Sequence, residues 1–404
     1  MGMKYFFNEK RHFVNDITSF DQIKRIEDEY QLITYSKMSL AIERGEGAYV
    51  WTSDGERYLD LYGGHAVCAT GHSHPHVVSA LKAQLDKIIF YSNVAYSSIR
   101  AEASEKLISI APRSLRKVFF CNSGAEANEN AMRMARLATG RKKVISFTGG
   151  FHGRTADAIS ATFLGSYRRI AEPNVPLHLC AEFGDIDSVA NLADTETAAI
   201  LIEPIQSMAG VREADADFFI SLRQLCDEKG ILLIFDEIQT GMGRTGNWFF
   251  AGSELAGFIE PDILTIAKSL GSGIPVGACL VNQKVANVLK INDLGTTFGG
   301  GMIAMSAVIA TIEAIEKDDM LSNIRRIENY LRERLSDFSS VVAVHGKGGL
   351  IAIEFDFDAN IVQRKLLERR IITGTSADPK RIRLLPPLCI GTEEIDLFIE
   401  ALKP

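Results

Sequence analysis

Residues 231–246 read Ile-Leu-Leu-Ile-Phe-Asp-Glu-Ile-Gln-Thr-Gly-Met-Gly-Arg-Thr-Gly. Five apolar residues in a row, rich in β-branched and long aliphatic types, predict a strand buried on both faces. The strand runs straight into a carboxylate, Asp236, and the glycines at 241, 243 and 246 then force a loop. A carboxylate at the carboxyl end of a buried parallel strand lies where open α/β sheets gather ligand chemistry. A second apolar run, Ile263–Ala267, ends in Lys268 and enters Ser-Leu-Gly-Ser-Gly. The two strands deliver an amine and a carboxylate to one sheet edge. A buried amine titrates low and becomes a nucleophile towards aldehydes. A buried carboxylate needs a cationic partner, and a pyridinium N–H is one. For an arbitrary strand-end pair, a salt bridge or two solvated loop charges is the plainer reading. Here both groups sit beside Gly-rich loops, as a pyridoxal phosphate site requires.

The segments Asp236-Glu-Ile-Gln239 and Ala267-Lys268-Ser-Leu-Gly resemble the class III aminotransferases, of the pyridoxal-phosphate fold type I group. The resemblance runs from near residue 48 to the carboxyl terminus. It implies an α/β fold with a mostly parallel sheet in a large domain, residues 48–300. It also implies a smaller α+β domain, 301–404, with the N-terminal segment 1–47 packed against it. The cofactor it implies is pyridoxal 5'-phosphate and the assembly is a homodimer.

Composition narrows the alternatives. The chain has 404 residues, 46% of them hydrophobic, enough for an ample core. A net charge of −7 argues against a nucleic-acid partner. The six cysteines (68, 121, 180, 226, 279 and 389) show no CxxC and no metal spacing, which reads as reduced thiols of a cytoplasmic protein. Residues 1–11 lack the apolar core of a signal peptide, and no stretch is apolar enough to span a membrane.

Along the chain, Ser19-Phe-Asp-Gln22 predicts a capping box opening a first helix. Residues 48–61 predict a hairpin turning at Asp54-Gly55. Gly71-His72-Ser-His74-Pro75-His76 has a metal-like HxHxH spacing, but Pro75 sits inside it and no carboxylate or cysteine completes a shell, so no metal is expected. Pro75 instead starts a helix running to about residue 88. Lys117–Cys121 predicts a strand, and Asn122-Ser123-Gly124-Ala125-Glu126-Ala127 opens a helix through Arg136. Strand, tight turn and helix start make an anion site, because free backbone N–H groups point at the ligand.

The resemblance assigns roles to these residues. Ser123, Gly124 and Ala125 hold the cofactor phosphate, although relatives usually carry Thr or Val at 125. Phe151 stacks on the pyridine ring, with His152 beside it and Ile238 on the opposite face. Asp236 pairs with the ring nitrogen, Gln239 reaches the phenolic oxygen, Glu203 belongs to the same site and Lys268 links to the aldehyde carbon. Thr297 crosses the dimer interface to the neighbour's phosphate. Arg154 and Arg383 hold substrate carboxylates, a task that suits the bidentate guanidinium fork. Tyr91, Asn93 and Tyr96 fall where relatives place substrate-facing loop residues.

The implied activity is transfer of an amino group from an acetylornithine, ornithine or ω-amino acid donor to a keto acid, 2-oxoglutarate. An aminomutase or decarboxylase would keep every cofactor residue named, and a non-catalytic protein on the same fold is a third reading. One departure bears on the donor. Relatives follow Glu203-Pro-Ile-Gln206 with Gly-Glu-Gly-Gly or Gly-Glu-Ala-Gly, and ornithine-type enzymes pair that second glutamate with the arginine matching Arg383. Here the sequence is Ser207-Met208-Ala209-Gly210, and a thioether carries no charge.

Overall fold

In the computed structural model, which describes residues 19–403, the run Leu232–Asp236 is a strand buried along its whole length. Its side chains alternate between two apolar layers. Leu232 and Ile234 join Ala199, Leu201 and Ile263 against the helix Gly124–Thr139. Leu233 and Phe235 join Ile200, Ile202, Leu264 and Ile266 in the larger core on the other face. An all-apolar run is therefore what this position needs, since helices and loops cover both faces and neither meets water. Each such side chain contributes roughly 1.5–3 kcal/mol on burial.

The sheet has seven strands, in the order Leu115–Cys121, Gly277–Asn282, Ile263–Ile266, Leu232–Asp236, Thr197–Ile202, Lys143–Phe147 and His178–Ala181. Gly277–Asn282 runs antiparallel to both its neighbours and the remaining pairings are parallel. Six of the seven strands, all but Gly277–Asn282, therefore run the same way, and the loops that carry most of the site described below leave from their carboxyl ends.

Around this sheet stand two four-stranded ones. The hairpin Tyr49–Thr52 and Arg57–Asp60 turns at Asp54-Gly55, with Gly55 at φ 81°. Ile42–Glu46 flanks it on one side, and Ile371–Ile372 pairs in parallel with Arg57–Asp60 on the other. This pairing ties residues 49–60 to the C-terminal part of the chain. The other sheet is antiparallel, in the order Val341–Lys347, Leu350–Phe355, Arg381–Leu384 and Gly374–Thr375. Met302–Lys317, buried along most of its length, packs on Pro75–Leu85 and Ser98–Ile110.

Several element ends differ from the expected ones. The helix opened by Pro75 stops at Leu85, not near 88, because Gln84 turns its side-chain amide onto the Ile88 carbonyl at 2.8 Å. The helix after Ser123 continues to Thr139 and ends at Gly140, whose φ of 69° stops it. A further long helix spans Met320–Leu335. Ser19 caps the helix Phe20–Tyr30 by accepting from the Gln22 amide, without a return bond from Gln22 among the described residues. The three histidines of the HxHxH stretch turn to separate carboxylates: His72 to Asp60, His74 to Asp318 and His76 to Glu313. No helix among the described residues is long and apolar enough to cross a membrane. The reading of residues 1–11 lies outside the described residues.

Candidate active site

Loops leaving the carboxyl ends of the parallel strands close around a cavity of about 700 Å³. Ser123, Gly124 and Ala125 come from the first strand's loop, and Phe151, His152 and Arg154 from the next. Glu203, then Asp236, Ile238 and Gln239, then Lys268 complete the wall. Eleven of the thirteen residues expected at the site thus line one cavity; Thr297 and Arg383 do not.

Lys268 opens the short 3-10 turn Lys268–Gly271 with φ at 43°, in the left-handed region that a residue with a side chain avoids. The surrounding fold holds that strain and aims the amine into the cavity. Burial lowers its pKa from 10.5 to about 8, against the opposing pull of Asp236 and Glu203. The amine is therefore partly unprotonated near neutral pH, as a nucleophile or base requires.

Asp236 is almost fully buried and held at three points. Its Oδ2 lies 2.8 Å from His152 Nδ1 and accepts from Asn128 Nδ2 at 2.7 Å, and its Oδ1 accepts from the Ile238 amide at 3.1 Å. Asn128 is fixed in turn, since its Oδ1 accepts from the Thr265 hydroxyl at 2.7 Å and its Nδ2 also meets the His152 carbonyl at 2.8 Å. Sequence reading missed Asn128. The signal was there: an asparagine four residues after Gly124 shares its helix face and lies in an otherwise apolar layer.

The helix Gly124–Thr139 points its first turn at the cavity. Ser123 caps it, its hydroxyl accepting from the Glu126 amide at 3.1 Å, and the amides of Gly124 and Ala125 have no intrahelical acceptor. A Cβ on Gly124 would stand 2.7 Å from Ile238 Cδ1, so glycine here is what lets Ile238 pack across the turn. Gln239 Oε1 is buried with no partner among the described residues. Glu203 accepts from the Phe151 amide at 2.7 Å, and burial raises its pKa to about 7. Phe151 stands edge-on to Tyr167, with ring centroids 5.4 Å apart. A free helix start for phosphate, an anchored carboxylate for a ring N–H, an unpartnered amide, two apolar walls and a depressed lysine fit pyridoxal 5'-phosphate.

Arg383 is 1% exposed and held entirely by neutral oxygens: the Thr375 carbonyl at 2.6 Å, the Ser207 hydroxyl at 2.9 Å and the Tyr62 hydroxyl at 3.2 Å. Its charge is felt at Lys268 and at His65. Ser207, next to Met208, is one of the three residues that meet it. Arg154 lies over Tyr167 and Tyr35, at 5.3 and 5.6 Å from the ring centroids, with no carboxylate partner among the described residues. Tyr35 and His65 line the cavity and were not anticipated. Thr297 is exposed; Tyr91 and Tyr96 are exposed too and lie outside the cavity.

Comparison with known proteins agrees with this chemistry. The family model described as aminotransferase class-III matches residues 31–404. The acetylornithine aminotransferase of Archaeoglobus fulgidus is 44% identical over 382 residues, covering 94% of this chain and 99% of that protein. That of Methanopyrus kandleri is 42% identical over 373 residues, covering 91% and 95%. Among solved structures, the ornithine aminotransferase of Toxoplasma gondii superposes with a TM-score of 0.88 at 27% identity, covering 96% of each chain. The acetylornithine aminotransferase of Elizabethkingia anophelis gives 0.82 at 27% identity, covering 95% of this chain and 97% of that one. Matched over most of its length by that family model and by these relatives, the chain belongs to the class III pyridoxal-phosphate-dependent aminotransferases.

Proposed function

We propose that this aminotransferase takes its amino group from an N-acylated diamino acid of the acetylornithine type, passes it to 2-oxoglutarate, and works as a homodimer. The observation that carries the reading is a pair of guanidiniums, Arg383 and Arg154, neither with a carboxylate partner among the described residues. A buried cation resting on neutral acceptors is costly until a carboxylate arrives. A dicarboxylate such as 2-oxoglutarate offers one end to each arginine, and a diamino acid donor offers its own carboxylate to Arg154. The archaeal relatives named above as acetylornithine aminotransferases support the donor class.

Pyridoxal 5'-phosphate, when bound, supplies the electron sink that lets a proton leave the amine-bearing carbon. Ser123, Gly124 and Ala125 would hold its phosphate, with Thr297 of the second subunit completing that contact. Asp236 would keep its ring nitrogen protonated, Gln239 would meet its phenolic oxygen, and Phe151 and Ile238 would cover its faces. Lys268 Nζ takes the proton from the substrate carbon as general base and returns it as general acid, a role its pKa of about 8 suits.

Amine scanning tests this. Cofactor-loaded protein is given 2-oxoglutarate with acetylornithine, ornithine or 4-aminobutyrate, and glutamate is measured. Acetylornithine should give the highest kcat/KM. No glutamate from any diamino acid would end the reading.

A further inference from the structure

Four consecutive residues, Gly63, Gly64, His65 and Ala66, have φ between 54° and 71° and form a left-handed turn. Two of them carry side chains that disfavour this conformation. The turn is held from outside. Asp60 Oδ1 accepts from the amides of Tyr62 and Gly63, each at 2.9 Å, its Oδ2 accepts from Gly64 at 3.2 Å, and His72 braces the same carboxylate at 2.7 Å. Backbone strain supported this heavily commonly serves a site. What the turn delivers is His65, whose ring lines the cavity.

The hydrogen bonds around that ring have a direction. Arg383 can only donate, and it donates to the Tyr62 hydroxyl oxygen at 3.2 Å. The Tyr62 O–H then has one acceptor in reach among the described residues, His65 Nδ1 at 2.5 Å. The imidazole is neutral: burial, aided by the charges of Lys268, Arg383 and Arg154, lowers its pKa to about 3. With Nδ1 accepting and the ring neutral, the single ring proton is on Nε2, which has no protein partner among the described residues.

We propose that His65 is a specificity-determining residue that offers Nε2–H, oriented by the relay from Arg383 through Tyr62, to the uncharged carbonyl oxygen of the donor's acyl group. This rests on the donor class proposed above. A neutral donor N–H gains from an amide carbonyl and has nothing to offer the ammonium that a free diamino acid presents at the same place. The nearby Arg154, whose charge reaches His65, takes the adjoining carboxylate and repels that ammonium.

Two measurements decide it. In protein labelled with ¹⁵N-histidine, the His65 signal, assigned by its loss in His65→Asn, should show the proton on Nε2; a proton on Nδ1 overturns the relay and the proposal with it. In kinetics, the ratio of kcat/KM for acetylornithine over ornithine should fall roughly 10- to 100-fold in His65→Phe, mostly through KM, and recover largely in His65→Gln, which restores an N–H. Tyr62→Phe leaves the strained turn untouched and should lower the ratio roughly three- to tenfold, so it carries the test if His65→Phe does not fold. A wild-type enzyme that favours acetylornithine, with both ratios within twofold of wild type, overturns this proposal alone. A wild-type enzyme with no preference for the acylated donor overturns the donor class and this proposal together.

Discussion

Arg383 donates through Nη1 to the Ser207 hydroxyl at 2.9 Å, a neutral oxygen one residue before Met208. Met208 is uncharged, so no charge from it can cover Arg383 when a donor without a nearby carboxylate enters. Under the proposed function Arg383 would stay available to a carboxylate in both half-reactions. Introducing the acid, Met208→Glu, should weaken 2-oxoglutarate or improve ornithine by about fivefold, the scale of a partly screened ion pair of roughly 1 kcal/mol. Arg383→Ala should weaken 2-oxoglutarate binding, seen as a rise in its KM, more than it weakens any neutral-ended substrate. Paired kinetics on the two variants check this. Unchanged ratios would mean that the carboxylates are held elsewhere, Arg154 being the guanidinium that lines the cavity.

Lys268 should govern cofactor capture with a characteristic pH profile. Its folded pKa lies below the ordinary 10.5, at about 8, so the reactive free amine grows as pH rises through 8 and is lost below it. Covalent capture of pyridoxal 5'-phosphate by the apoprotein, followed by absorbance, should accelerate with a midpoint near pH 8. A rate still climbing steeply above pH 9.5 would indicate an ordinary exposed lysine. Lys268→Ala should bind the cofactor without a covalent bond and lose turnover, and borohydride reduction followed by peptide mapping should label Lys268 and no other lysine.

Asp236 and Asn128 should separate by degree. Asp236→Ala removes the carboxylate proposed to partner the ring nitrogen in a dry site, and the expected loss is roughly 2–4 kcal/mol, or 30- to 1000-fold in kcat. Asn128→Ala leaves the carboxylate in place but removes one of its three anchors, so a smaller loss of roughly three- to thirtyfold is expected. Thermal unfolding should show both variants folded. An Asp236→Ala enzyme within a few-fold of wild type would contradict the role given to the carboxylate.

Lys268, Asp236, Ser123 and Gly124 could be read from the sequence because each sits where a strand pattern breaks into a glycine-rich loop, and that pattern is local. Asn128 was less visible, since only its helical spacing from Gly124 links it to the site. The cluster of Tyr62, His65, Ser207 and Arg383 was not readable as a cluster. Arg383 and Tyr62 are 321 residues apart in sequence, and the pairing of Ile371–Ile372 with Arg57–Asp60 helps bring their segments together. The left-handed turn carrying His65 depends on Asp60 accepting three backbone amides, an arrangement that no residue-type preference announces. The ends of helices misjudged by a few residues, at Leu85 and Thr139, turned on a side-chain cap and on one glycine.

Ile88, Ile89, Tyr91, Val94 and Tyr96 are exposed, as is Phe298, which packs on Phe90 with ring centroids 5.2 Å apart. Asn93 donates to the Gly299 carbonyl at 2.9 Å, and Arg100 donates to the Gly300 carbonyl at 3.0 Å and to that of Ala95 at 3.0 Å. These bonds weld the 91–95 loop to the turn carrying Thr297, so the apolar side chains and Thr297 share one surface. A folded chain seldom leaves so many large apolar groups together on its surface without covering them. A second copy applied through a two-fold axis would cover them and carry each Thr297 towards the other subunit. Wild-type protein should therefore sediment as a dimer. Val94→Asp, which puts an unpaired charge on this face, should shift it towards monomer and weaken cofactor retention in parallel. Thr297→Ala should leave the dimer intact and loosen the cofactor roughly three- to tenfold, as loss of one phosphate hydrogen bond would. A fully active monomer at assay concentration, or a Val94→Asp dimer indistinguishable from wild type, would remove this face from the account.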